Sequence, residues 1–546
     1  MKKFICVLLA IHAFVLIYNA QNKSVVKGDE SSAALSAQFL AGGPIRDLPK
    51  ASDRVFVIDE GPGLDTGCVN STASPLRISL LVDRVIDQTS TNGIISQQKA
   101  QSLIQKGYLS EFVTISLPVF DVDLAEGEID KVFLNGFEIG ILTGSNDTWK
   151  LNEYRVPVWL LKFGTLDPQG GNARASENII EIQIDVGGDP TMWCTGADWA
   201  AASFKALSPT IFVHGNNSDG TFFSKFDRMT HYFDENGIPY DNSINFDPPA
   251  NTIEKNATQL AVKLPKIADR FGVDSFHLIA HSKGGLDVRY FLQFLYPLFL
   301  KDKYKILSLT TLGTPHNGSV GADLRTSYSD ATKKKASVEY RNIAAFARIA
   351  NWYSGEDNDI AHPYLRTDYA ARFNSFNIPG LAFLKADGTL KTKYYTISAD
   401  ADQDNSQTIN LDSEFIELTQ DDPQLLSQYN GNFGSFRARN LVDGLYQFIR
   451  KNREVTLEYV QATTIFGKPY TKAIITGVPN SQELGNDTLV TVKSGTGEGS
   501  FQQLTTDRAE FTGGLGKNHS SIGGRLSGQT SIVWILAAER EEGDLQ

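Results

Sequence analysis

Cysteine is scarce in this chain. Three occur in 546 residues, and no Cys/His cluster has the spacing of zinc ligands, which excludes a structural zinc module of that kind. Cys6 lies in the N-terminal apolar run. Cys68 and Cys194 remain, compatible with one disulfide in an oxidising compartment and equally with two buried thiols. Positive charge is also short: 51 Lys and Arg stand against 63 Asp and Glu, a formal net charge of −12 with a pI near 5.3. That balance argues against a nucleic-acid partner, which would favour a basic face. Beyond residue 20 there is no long uninterrupted apolar run, so the body of the chain has no candidate membrane span. No internal repeat or low-complexity tract occurs.

What is present is a folded protein's composition, 41% apolar and 21% charged, at a length that favours two or three domains. The opening MKKFICVLLAIHAFVLIYNAQNK has two lysines, then an apolar run, then a small residue. This is the pattern of a secretory signal (residues 1–20) cleaved after Ala20; an uncleaved anchor is the alternative, but the run is short for a span. The expectation is an exported, soluble mature protein. Residues 21–51 are polar and irregular, a linker. From 52 to 205, runs such as PLRISLLVDRVI, KVFLNGFEIGILTG and ENIIEIQIDV, separated by Gly/Asn/Asp turns, predict a β-sandwich-like domain. Its Trp149 and Trp159 are expected in the core. Its acidic run Asp121 to Asp130 is compatible with calcium, though a solvated turn is the commoner use of such a run.

Near Pro209 the pattern changes. PTIFVHGNN, DSFHLIA and KILSLTTLGTPHNGS are short apolar strands alternating with helical segments, one of them Ile253 to Phe271. Residues 206–546 are therefore expected to be α/β, a doubly wound and mostly parallel sheet, with function at the carboxyl ends of its strands. Within LIAHSKGGLDVRYF, a buried strand ends at Ala280 and a helix starts at Gly284, with Ser282 on the turn between. So sharp a turn needs small residues two before and two after, and it leaves the apical side chain exposed at a helix N-terminus. A serine there needs a base. Of eight histidines, His12 lies in the signal, and His281 adjoins the serine and should point elsewhere. His277 is mid-strand and expected in the core, His231 is helical, His214 and His316 end strands, and His362 lies in a polar insertion. His519, in a late Gly/Asn/Ser loop, fits the order serine, acid, histidine. For the acid, Asp487 in GNDTLVTVKS precedes a β-like run; Asp400 and Asp443 compete with it. Oxyanion donors are expected from the backbone N–H groups of Lys283 and, in the loop His214-Gly215-Asn216, of Asn216. The Lys283 side chain is expected in solvent, and Gly284 serves the turn.

FVHGNNSD, LIAHSKGGLDVRYF with LTTLGTPHNGS, GNDTLVTVKS and KNHSSI, in that order, resemble the secreted bacterial lipases and esterases of the α/β-hydrolase superfamily. The resemblance spans about Thr210 to Ser531. It implies Ser282 as nucleophile, Asp487 as acid, His519 as base and Asn216 as oxyanion donor, with ester hydrolysis through an acyl-enzyme and no organic cofactor. Ala280 replaces the commoner glycine. Ser520 and Ser521 stand where several relatives place a calcium-ligating Asp, so no calcium of that type is expected. An insertion from Val320 to about Pro379 contains RNIAAFARIANW, with Ile343, Phe346 and Ile349 at helical spacing, and is read as a cap. The implied function is a secreted carboxylic-ester hydrolase, foremost a triacylglycerol lipase acting at a lipid–water interface. A polyester depolymerase or thioesterase of the same fold, or a non-catalytic binding protein, is the alternative. Asn486 and Asn518 head Asn-x-Ser/Thr sites beside presumed catalytic residues, where a glycan would obstruct, and this favours a bacterial source.

Overall fold

Alternation of apolar and polar side chains builds the first half. In a computed structural model, the described residues are 48–59, 64–69, 75–186, 193–225, 229–338, 361–376, 392–401, 436–482, 484, 486–497, 510–515, 519 and 521–541. The signal, most of the linker, and the candidate cap helix bearing Ile343, Phe346 and Ile349 lie outside them. Strand Leu76–Val82 turns Ile78, Leu80 and Val82 inward, as period-two patterning requires. It pairs antiparallel with Ser176–Gln183 in a four-stranded sheet completed by Lys131–Leu134 and Phe137–Ile141. A six-stranded sheet combines Val55–Ile58, Leu64–Val69, Phe112–Phe120, Trp149–Pro157, Trp193–Ala197 and Ala200–Ser203, again antiparallel. Its register sets Cys68 opposite Cys194. The region is not wholly β: Gln97–Gln105 is a helix, capped by Ser96, whose side chain accepts from the Lys99 N–H. The short segment hides this among strands, because capping rather than apolar periodicity announces it.

The second half is a six-stranded parallel sheet. Its strands are β1 (Thr210–Val213), β2 (Tyr240–Asp241), β3 (Ser275–His281), β4 (Lys305–Leu312), β5 (Lys393–Asp400) and, late in the chain, β8 (Glu510–Leu515). The order across the sheet is β2-β1-β3-β4-β5-β8. β3 is buried along its whole length, which is why it reads as a continuous apolar run. Helices are α1 (Met229–Asn236), α2 (Ile253–Phe271), α3 (Lys283–Tyr290), α4 (Val320–Lys333), α5 (Thr367–Phe376), α6 (Phe436–Lys451) and α7 (Arg525–Glu541). α2 matches its predicted bounds. Thr252 caps its start, Gly272 at φ 61° ends it, and Ile253, Ala257, Leu260, Leu264, Ile267 and Phe271 form its buried stripe.

One hydrophobic cluster crosses the predicted boundary at 205. It joins Val113, Ile115 and Leu161 of the first half to Phe212, Ile279, Leu312, Ile397 and Ile535 of the second. A polar seam follows the same line. Arg84, fully buried, pairs with Asp53 and donates to the carbonyls of Ala206 and Leu207, and Asp53 accepts from Ser275 Oγ at the start of β3.

Between β5 and β8 the chain makes a long detour. α6 is followed by an antiparallel hairpin of β6 (Asn452–Thr463) and β7 (Pro469–Pro479). It then returns to its starting point: the Ala401 N–H, at the end of β5, donates to the Asn486 carbonyl at 2.8 Å. The run after Asp487 is not a strand. Leu489 and Val490 are a turn, and Val492–Gly495 is a short helix capped by Thr491. The β-branched residues of DTLVTV are spent on burial in a turn that wraps the Asp487 carboxylate.

Candidate active site

Ser282 sits between β3 and α3 with φ 52° and ψ −129°, a conformation costly for a residue with a Cβ. The neighbours that permit it are glycines. A Cβ on Gly284 would lie 2.4 Å from the His214 carbonyl oxygen, and one on Gly215 would lie 2.9 Å from Ser282 Cβ. The loop after β1 is therefore pressed against the serine, with Asn216 next along the chain.

His519 reaches the same point from the loop after β8. Its Nε2 lies 2.8 Å from Ser282 Oγ, and its Nδ1 lies 2.7 Å from Asp487 Oδ2. The other carboxylate oxygen of Asp487 accepts the N–H groups of Leu489 and Val490 at 3.0 and 2.7 Å. The backbone binds the two loops as well, since the His519 N–H donates to the Asp487 carbonyl at 2.8 Å. All three side chains are buried, Ser282 at 8% exposure being the most open. The structure thus brings together Ser282, Asp487 and His519 of the sequence expectation. It leaves the competitors elsewhere: Asp400 accepts a hydrogen bond from Tyr446 Oη, and Asp443 lies within α6.

The remaining histidines are sorted by their partners. His214 Nε2 accepts the Phe246 N–H, so Nδ1 carries the proton and donates to the Gly215 carbonyl at 2.7 Å, bracing the loop beside the serine. Burial pushes its pKa down to about 4, so it stays neutral. His277 is buried, as expected of a mid-strand residue, and is held by Ser308 and Glu539. His316 accepts from Arg289 and bonds Thr311. His231 pairs with Glu235 on α1, and His362 is buried in the turn His362–Leu365.

Two features escaped the sequence. His281 does point away from the serine, but toward His519: its Nε2–H donates to the His519 carbonyl at 2.8 Å, and its ring stacks on Phe222 at 3.9 Å. Burial, first, and the nearby His519 hold its pKa well below the ordinary histidine value. The Lys283 side chain is not in solvent. It is fully buried, with Nζ 2.7 and 3.0 Å from the Asp287 oxygens, and Asn256 Nδ2 donates to the same carboxylate. A cation one turn before a carboxylate in a helix was the available signal, since residues i and i+4 share a face. Burial raises the Asp287 pKa to about 6 despite Lys283. The acidic run Asp121 to Asp130 contributes no metal-ligand cluster among the described residues. The position of Ser520 lies outside them.

No family model matches the chain. Triacylglycerol lipase 2 of Saccharomyces cerevisiae is 43% identical over 81 residues, 14% of this chain and 23% of the yeast protein. The chain thus spans about a quarter of the length of that curated relative. Among solved structures, the mature form of Bacillus licheniformis lipase BlEst2 is 21% identical, with 60% of this chain and 92% of that one covered at a TM-score of 0.36. Phospholipase PlaB of Legionella pneumophila is 18% identical over 50% of this chain and 51% of its own, at a TM-score of 0.24. Scores this low add nothing to the topology and side-chain geometry above. No described helix is long and apolar enough to cross a membrane.

Proposed function

We propose that the chain is a secreted carboxylic-ester hydrolase of the α/β-hydrolase type, foremost a lipase acting on triacylglycerol. The observation that carries this is the hydrogen-bonded chain Asp487–His519–Ser282 on a strained strand-to-helix turn. His519 Nε2 takes the Ser282 proton as Oγ attacks the ester carbonyl. Asp487 holds the imidazole in the tautomer with Nδ1–H and stabilises the imidazolium that forms. The oxyanion is received by the backbone N–H groups of Asn216 and Lys283, the latter at the positive end of α3. His519 then gives its proton to the leaving alcohol, and water repeats the sequence on the acyl-enzyme. Beyond substrate and water, these steps use side chains and backbone of this chain. The local likeness to a triacylglycerol lipase supports the substrate class, and the N-terminal sequence supports export.

The test is fatty-acid release from emulsified long-chain triacylglycerol and from a soluble short-chain ester. Ser282→Ala should lower turnover on both by at least roughly four orders of magnitude while leaving the thermal unfolding curve in place. Wild-type turnover in that variant would remove Ser282 from the mechanism. Cleavage of the short ester alone would make the protein an esterase with a different natural substrate.

A further inference from the structure

The β6–β7 hairpin ends in a way that folding alone does not call for. Its tip is the turn Thr464-Ile465-Phe466-Gly467, closed by the Gly467 N–H donating to the Thr464 carbonyl at 2.9 Å, with Gly467 at φ 74°. The central positions of such turns favour Pro, Asp, Asn and Ser, residues that preset the backbone or bond to it. Here they hold Ile465 and Phe466, exposed at 95% and 85%. These are the two most exposed large apolar side chains among the described residues, they are adjacent, and every residue from Thr463 to Tyr470 is exposed. Isolated exposed apolar residues are ordinary, but a β-branched and an aromatic residue placed against turn preference at a projecting tip are not.

Charge around the tip runs against that of the molecule. Between Glu458 and Glu483 there are two lysines, Lys468 and Lys472, and no Asp or Glu, in a chain of net charge −12. Two side chains offer at most roughly 400 Å² of contact, about half of what one side of a stable protein interface needs. As a wedge into hydrocarbon, with Lys468 at headgroup level, the same pair is sufficient. The base of the hairpin lies beside the proposed acid. The Leu484 N–H donates to the Arg450 carbonyl, and Asn486 Nδ2 donates to the Tyr446 carbonyl, one residue before Asp487.

We propose that Ile465 and Phe466, with Lys468 beside them, insert into an anionic phospholipid surface and hold the protein at a lipid–water boundary. The purpose of this anchor rests on the lipase reading; the binding itself does not. The experiment uses the full chain carrying Ser282→Ala, so that no lipid is consumed. It measures flotation with vesicles of phosphatidylcholine and phosphatidylglycerol. The chain should float with the vesicles, and adding Ile465→Ser and Phe466→Ser should weaken partition at least about ten-fold. The same pair of substitutions in the Ser282 chain should leave turnover of the soluble short-chain ester unchanged, which shows the fold to be intact. Equal partition with and without the two serines, or no flotation of the parent, overturns the anchor. Failure of wild type to cleave any ester would overturn the hydrolase reading and leave the flotation result standing.

Discussion

His281 holds the backbone carbonyl of His519 while Phe222 holds the His281 ring. The backbone of His519 is therefore held by a side chain adjacent to Ser282. Replacing His281 by Ala removes the bond and opens a void behind the imidazole. We expect kcat on a soluble ester to fall about ten- to a hundred-fold with little change in KM, because a small misplacement of the base is expensive. Stopped assays across pH check this; an unchanged kcat would confine His281 to packing. Ser282 and His519 were legible from motif and chain order, because an elbow demands small neighbours and the late loop offered one histidine. The burial of Lys283 was not: its spacing from Asp287 announces a partner on the same helix face but not that this face turns inward, where the contact with Asp287 and Asn256 makes burial tolerable.

Among elements, the segment leading from the turn Leu124–Glu126 into strand Lys131–Leu134 carries the buried Glu128 and Asp130, which meet Thr195, while Asp185 donates its N–H to Asp130. The carboxylate oxygens of Asp185 are buried with no hydrogen-bond partner. Burial, with Asp130 adding to it, pushes Glu128 from 4.5 up to about 8. The folded state thus binds this proton more tightly than the unfolded chain, so the contribution to stability is complete below pH 4.5 and declines as pH rises towards about 8. The unfolding temperature should fall between pH 5 and 8, and Glu128→Gln, which still accepts the Asp123 N–H, should flatten that fall. Parallel pH series by calorimetry decide it: an equal slope in both proteins would show that Glu128 is not the group responsible. The acidic run was visible in the sequence, but its inward face was not, because a β turn and a buried corner share the same composition. α2 was legible as a helix near its observed bounds, where cap, stripe and terminal glycine agree. The turn after Asp487 was not, because β-branched residues serve a strand and a buried turn alike.

At the scale of the whole molecule, composition divides the chain near residue 205, yet the hydrophobic cluster and the Arg84–Asp53 seam run across that line. Periodicity reports which face of an element is apolar and is silent on what covers it. A chain starting at residue 206 would cut that cluster and lose Asp53 and Arg84, which bond Ser275 and the Ala206 and Leu207 carbonyls. We expect it to lack a cooperative thermal transition and to aggregate on expression, whereas the longer chain unfolds in one step. A soluble, cooperatively unfolding fragment would show that the first half is an accessory. The doubly wound sheet itself was legible, since continuous apolar strands between helices have few other uses.

The detour that ends where it began has a practical meaning. Because the Ala401 N–H and the Asn486 carbonyl meet at the carboxyl end of β5, the chain leaves the sheet and returns to it at one pair of atoms. The β6–β7 hairpin between them can be lengthened, shortened or exchanged without moving Asp487, provided α6 stays to hold Asn486 through the Tyr446 carbonyl. The molecule has a socket there. Diversity in what it touches can accumulate in the plug while the chemistry stays in the wall.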